Sequence, residues 1–307
     1  REHYGDVIKA LIEAIRQNRV PNLHLDDNGL LSSDGRNHPV TWLSASVNGK
    51  PIIPRSGYIL EFNALWYNAL RFTVCLFENV EEEKPYANKL RVLADKTAQS
   101  FISTFLNANG YLNDYVDGEY VFNGIDGIAC FASMDDNTLC THIAIGLEYS
   151  PLDRHRKRRV LEFVTRELLT PKGLRSLSPC SPAYRPIYKG NPLEREYAVH
   201  QGPARPWLFG FYAQAYISVF GASGVGFIER QLIGYEDEMT RGCIGSLSEM
   251  YDANPPYTGR GAVSTAKNVG QILEAIRLVN DKMKELDEKV RRETNEAGIK
   301  ASEETMP

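Results

Sequence analysis

The sequence lacks any Cys-x-x-Cys pair: its five cysteines (Cys75, Cys130, Cys140, Cys180 and Cys243) are odd in number and widely spaced. That pattern argues against a disulfide framework, offers no zinc-ligand spacing, and fits a reducing cytoplasm. Basic excess is also lacking, since 35 Lys and Arg stand against 39 Asp and Glu for a net charge of −4. No whole-chain field therefore draws nucleic acid or a membrane surface. The basic run Arg154, Arg156, Lys157, Arg158 and Arg159 falls at the start of a predicted helix and reads as its solvated face. Charge is missing altogether from Pro206 to Ile228, a length that would span a bilayer. Gln214, two Ser, two Tyr and four Gly interrupt that stretch, which favours buried helices over a span. There is no initiator Met and no signal peptide before the helical pattern begins, so the N-terminus reads as a cut through a longer chain.

Strand-like alternation is scarce, and most long segments follow helical period. Eight helices are predicted, at 6–19, 61–80, 86–108, 138–148, 153–168, 207–219, 226–238 and 262–294. The first is expected to bury Val7, Ala10, Leu11, Ala14 and Ile15; the last carries a narrow seam of Ile276, Val279, Met283, Leu286 and Val290. Short extended pieces at 111–116 and 119–123 flank a turn at Asp117-Gly118. The expectation is an all-α domain over 1–294 with at most a small β-hairpin, followed by a charged, disordered tail at 295–307.

Four loops, at 44–60, 109–137, 170–205 and 240–261, exceed the usual connection of about 4–6 residues. They are rich in Tyr, Asn, Gly, Pro and carboxylates, a composition suited to polyol recognition, and long ordered loops tend to build sites. Breaking a glycosidic bond needs a proton donor, a second carboxylate facing water or the sugar carbon, and flat aromatic faces. Trp42, Trp66, Trp207, Tyr67 and Tyr251 can stack; Glu61, Asp126, Glu194, Glu196, Glu249 and Asp252 can titrate. Pro39 to Leu60 contains no acid, and Glu61 follows at once at a helix start, where it serves either the helix dipole or a sugar. Asp126 is either a turn residue or an acid, and of adjacent Trp66 and Tyr67 one is expected in the core. No second histidine lies near His200 at ligand spacing, and residues 221–226 ("GASGVG") lack the Gly-Lys-Ser/Thr ending of a phosphate loop. Neither a metal nor a cofactor is expected.

The segments "LDDNGLL", "TWLSASVNGKPIIPRSGYILEFNALWYNAL", "LLTPKGLRSLSPCSPAY", "HQGPARPWLFGFYAQAY" and "SLSEMYDANPPYTGRGA" occur in this order. Together they resemble the C-terminal glucosidase domain of glycogen debranching enzymes, the amylo-α-1,6-glucosidase type, over about residues 5–280. The resemblance implies an (α/α)6 toroid. With eight helices predicted against the family's twelve, the chain looks like the later two-thirds of one, without the β-sandwich domain that usually precedes it in bacterial members. It also implies an inverting hydrolase of α-1,6-linked glucose stubs on glycogen or a related α-glucan, acting in the cytoplasm.

Carried over residue by residue, the family's general base falls on Glu249 in "SLSEMYDANPP". The general acid, an Asp in a Thr-Trp-Met-Asp stretch, falls on Ser44, whose hydroxyl is far too weak an acid for that task. Stretches Thr138–Thr141, Val199–Arg205 and Ala253–Tyr257 also depart from the pattern in several positions. Trp42, Glu61, Asn63, Trp66, Tyr67, His200, Gln201, Trp207, Asp252 and Arg260 match it, and all of these but Tyr67, together with Ser44, are expected around the sugar. The loss at Ser44 leaves a rival expectation, a glycan-binding or regulatory domain that has kept the scaffold without the acid. The sequence carries no indication of oligomeric state.

Overall fold

The computed structural model describes residues 3–117, 120–121 and 146–304. Helix α1 (Gly5–Arg16) is amphipathic, with Asp6, Lys9, Glu13 and Arg16 along one side and a broad apolar arc, wider than the face it buries, on the other. Ile8, Ile12 and Ile15 face a cluster containing Trp66, Tyr67, Leu70, Val74, Leu90 and Ala94. Val7 and Leu11, from the face expected to be buried, are 56% and 61% exposed. The correction is a rotation of about one residue: the isoleucine stripe brings more branched apolar volume to the interface than the alanine-bearing one.

Helices α2 (Leu60–Phe77) and α3 (Lys84–Phe105) pack together across a short turn. Pro85 in the first turn of α3 presets the helical φ and gives up only an N–H that would have no partner there. The helix predicted at 138–148 falls mostly outside the described residues, as do Asp126, Cys130, Cys140 and Thr138–Thr141.

Helix α4 (Arg154–Glu167) starts at Asp153, whose carboxylate accepts from the Arg156 N–H at 2.8 Å. The basic run lies at the surface, with Arg154, Arg158 and Arg159 exposed and Arg156 and Lys157 partly so. Arg154 donates to the Val219 carbonyl at 2.8 Å, and Arg156 and Arg158 pair with Asp153 and Glu162. Helix α5 (Pro192–Ala198) carries a capping box between Asn191 and Glu194. Helices α6 (Leu208–Phe220) and α7 (Ala222–Ile233) are separated by Gly221 alone, at φ 60° and ψ −134°, a backbone region that strongly favours glycine. The "GASGVG" stretch is thus a helix junction. Helix α8 (Ala266–Glu304) packs on α6 and α7 through Ile272, Ala275 and Val279, and its backbone stays helical past the expected end at 294. Among the described residues no helix is long and apolar enough to cross a membrane.

The small-hairpin expectation is corrected by two five-stranded antiparallel sheets and a separate hairpin. The first sheet orders β1 (His24–Leu25), β2 (Leu31–Ser33), β5 (Gly57–Ile59), β6 (Tyr115–Asp117) and β7 (Tyr120–Val121). Its β6–β7 pair is the hairpin foreseen around Asp117. The separate hairpin joins β3 (Ser46–Val47) to β4 (Lys50–Pro51) through Asn48-Gly49, both at positive φ, as a tight primed turn requires. The second sheet orders β12 (Gly259–Arg260), β11 (Met250–Tyr251), β10 (Ala204–Arg205), β9 (Gly173–Arg175) and β8 (Leu169–Thr170). Strands of two or three residues are too short to register as period-2 alternation. Leu43, Ile53, Leu60, Phe101, Phe105, Leu161, Leu208 and Ile228 belong to one buried cluster linking the loop around Ser44 to the helices of the C-terminal half.

Candidate active site

The second sheet builds the site. Ala204 of β10 pairs with Tyr251 of β11, which sets Arg205 beside Glu249 at the strand's edge. The Glu249 N–H donates to the Ala262 carbonyl at 2.7 Å, and the Ala262 N–H donates back to Glu249 Oε2 at 3.1 Å. Asn268, in the first turn of α8, donates from Nδ2 to the carbonyls of Ser248 and Glu249 at 2.6 and 3.1 Å. The backbone is thereby clamped while the Glu249 side chain stays 40% exposed.

Arg205 lies behind Glu249, 4% exposed, with Nη1 at 3.4 Å from Glu249 Oε1. Its Nη2 donates to the Val199 carbonyl and approaches His200 Nδ1 at 3.4 Å. Burial pulls the guanidinium down to about 10, with Glu249 opposing. His200 is buried and pulled down to about 3, by desolvation first and then by the charges of Arg205 and Lys267, so it is neutral at pH 7. Because Arg205 donates toward Nδ1, the ring proton is assigned to Nε2, which makes that atom a donor.

Aromatic rings complete the wall. Trp42 meets His200 edge-on at 5.3 Å and Trp207 at 5.1 Å, and Lys267 Nζ stands 4.5 Å from the Trp207 ring centroid. Partial burial, then Arg205, holds the Lys267 ammonium below its usual range, while Glu249 acts in the opposite sense. Trp42, His200, Trp207 and Glu249 are thus brought to one cluster, with Gln201 partly exposed next to His200.

Ser44 is exposed, and its carbonyl accepts from Ser46 Oγ at 3.2 Å. The Ser46 N–H donates to Glu196 Oε1 at 3.0 Å, which brings a carboxylate from α5 to this loop. Glu194 is occupied in its capping box.

Other expected sugar contacts are corrected. Asn63 is fully buried and spends its amide on Leu31 N–H, Leu31 carbonyl and Ile59 carbonyl at 2.7, 3.0 and 3.0 Å. Trp66 and Tyr67 both lie in the core, where one was expected, and Tyr251 is buried as well. Glu61 is buried in an ion pair with Arg55, which also holds Asp114 at 2.8 Å, so a buried partner takes the place of solvent at this helix start. Asp252 accepts from Arg260 Nη2 at 2.7 Å and from the Tyr188 N–H at 2.9 Å, which fixes the 186–188 segment against β11. Asp252 and Arg260 are therefore committed to each other, and burial leaves Asp252 no free face for a sugar hydroxyl.

Sequence reasoning missed Arg205 and Lys267. Arg205 had a signal, as it stands where the family pattern has a tryptophan; Lys267 had none, because only the fold brings the start of α8 to Trp207. Among the described residues no group of three His, Cys, Asp or Glu side chains is arranged to hold a metal.

Three solved structures from Thermus thermophilus match part of this chain. They are a GH63 mannosylglycerate hydrolase with Tris (16% identity, TM-score 0.42) and with glucose (17%, 0.42), and an uncharacterized conserved protein (18%, 0.43). Each match covers 71% of this chain and 44%, 47% and 46% of the respective structure, so the chain spans less than half their length. No curated protein sequence matches. The amylo-alpha-1,6-glucosidase family profile matches residues 2–274, nearly the whole chain, in agreement with the ordered motifs. The chain belongs to the amylo-alpha-1,6-glucosidase family.

Proposed function

We propose that this domain is a cytoplasmic glycoside hydrolase that binds a glycogen-like α-glucan in a toroidal helical scaffold and removes α-1,6-linked glucose stubs. Glu249 acts as general base: its carboxylate takes a proton from the water that attacks the anomeric carbon, while an acid on the opposite side protonates the leaving glucan oxygen. Trp42 and Trp207 offer ring faces to the sugar, and His200 Nε2–H, Gln201 and Ser44 offer polar contacts. The observation that carries this reading is Glu249 itself, half-exposed on a clamped backbone beside the aromatic cluster, with Arg205 behind it. Glucose release from branched limit dextrin by the full-length natural protein tests it. Glu249→Gln is expected to lower the rate at least a hundredfold, the scale of lost base catalysis, and an unchanged rate would refute it.

Exposed Ser44 at the acid's place favours a second reading, a glycan-binding domain without turnover. Calorimetry with maltooligosaccharides and branched glucans separates the two. Binding without glucose release supports the second, and release supports the first.

A further inference from the structure

We propose that Glu196 is the general acid of this site, standing in for the carboxyl group that Ser44 does not supply. This rests on the hydrolase reading above and names the partner that Glu249 needs. Leu43 and Ala45 are 1% and 5% exposed, so in this extended segment the alternate residues Trp42, Ser44 and Ser46 share the opposite face. Glu196 meets that face: the Ser46 N–H donates to its Oε1 at 3.0 Å, two residues from Ser44. His200 follows Glu196 by four residues, and Val199 between them keeps helical φ and ψ, so the two side chains leave the end of α5 on one side. His200 lies edge-on to Trp42 and next to Arg205, which pairs with Glu249. Two carboxylates thus reach one Trp42–His200 wall from different elements, Glu196 by way of the Ser44 loop and Glu249 by way of Arg205.

A second, independent observation is how the other carboxylates are spent. Glu61 is paired with Arg55 and Asp252 with Arg260, and Glu194 closes its capping box. Glu196 forms no ion pair among the described residues, and its one hydrogen bond among them comes from a neutral backbone N–H. A protonated carboxyl group accepts that bond on Oε1 while Oε2 carries the proton. In the reaction that proton passes to the bridging oxygen as the bond from the anomeric carbon breaks, and the bonding electron pair stays on the oxygen. Water adds to the other face of the anomeric carbon and gives a proton to Glu249. Glu196 ends as the carboxylate and Glu249 as the acid, and proton exchange with solvent resets both.

Steady-state kinetics of the full-length natural protein on two substrates tests this: branched limit dextrin, whose leaving oxygen needs a proton, and α-D-glucosyl fluoride, whose fluoride departs without one. Glu196→Gln keeps an acceptor for the Ser46 N–H, and its fold is checked by thermal melting. It is expected to lower kcat/KM for limit dextrin about a hundredfold or more and for the fluoride less than about tenfold, whereas Glu249→Gln lowers both about a hundredfold or more. Glu196→Asp, which keeps a carboxyl group, should recover dextrin activity about tenfold or more over Glu196→Gln. A merely structural Glu196 would lower both substrates alike. That result, an unchanged dextrin rate in Glu196→Gln, or wild-type turnover of the fluoride alone would overturn the inference and leave Glu249 as base standing. Wild-type turnover of neither substrate would overturn the inference and the hydrolase reading together.

Discussion

Arg55→Leu strips the cation from a buried set of three charged side chains. The Arg55, Glu61 and Asp114 side chains are 1%, 6% and 0% exposed, and Arg55 pairs with both carboxylates. One guanidinium serves two carboxylates, so burial disfavours the second negative charge. Asp114 is pushed up to about 7, by burial first, with Arg55 opposing and Glu61 adding to the rise. Removing Arg55 leaves two buried carboxylates without their cation, a loss of about 3–5 kcal/mol. At roughly 2–3 °C per kcal/mol for a chain of this size, the melting temperature should fall by about 6–15 °C. Asp114→Asn keeps the volume and removes the titration. The folded-state value lies above the ordinary aspartate value of 3.8, so the folded chain binds the extra proton in that window. The stability it contributes is full below about 4 and is lost as pH rises through about 7. Asp114→Asn should therefore gain stability over wild type at pH 8 compared with pH 5, measured by urea denaturation. A loss below about 1 kcal/mol in Arg55→Leu, or a pH-independent difference between Asp114→Asn and wild type, would refute this account of the triad.

His200 works in the opposite sense: its folded value is depressed to about 3, so its contribution is present above about 6.5 and is lost on acidification. His200→Gln should lose less stability than wild type between about pH 6.5 and 4.5, by up to about 2–3 kcal/mol in urea titrations. Gly221→Ala should cost about 1–3 kcal/mol in the same assay through backbone strain alone, since a Cβ there meets nothing within 4 Å. Ser44→Asp restores a carboxyl group where the family carries its acid. It should raise glucose release from limit dextrin by at least tenfold if that position faces the leaving oxygen.

How far the sequence reached depended on element length. Helices of a dozen residues or more announce themselves by period, as α2, α3, α4 and α6 did. The β10–β11 pairing that joins Arg205 to Glu249 did not, because it rests on two-residue strands. Motif matching found Glu249, His200, Trp42 and Trp207, which the fold brings to one place, but it could not separate them from Asn63 and Trp66. Those two match the same pattern for packing reasons: Asn63 ties α2 to β2, and Trp66 fills the interface with α1. Cations were the larger omission. A lysine at the head of the last helix carries no local signature, and only tertiary structure sets it over Trp207.

The central claim is that Glu249 activates water for inversion at the anomeric carbon. Proton NMR of the glucose first released from an α-1,6-branched limit dextrin by the full-length natural protein tests it most directly. The account predicts the β-anomer, with release abolished or reduced at least a hundredfold in Glu249→Gln. Release of the α-anomer, or of the β-anomer at an unchanged rate in Glu249→Gln, would contradict it.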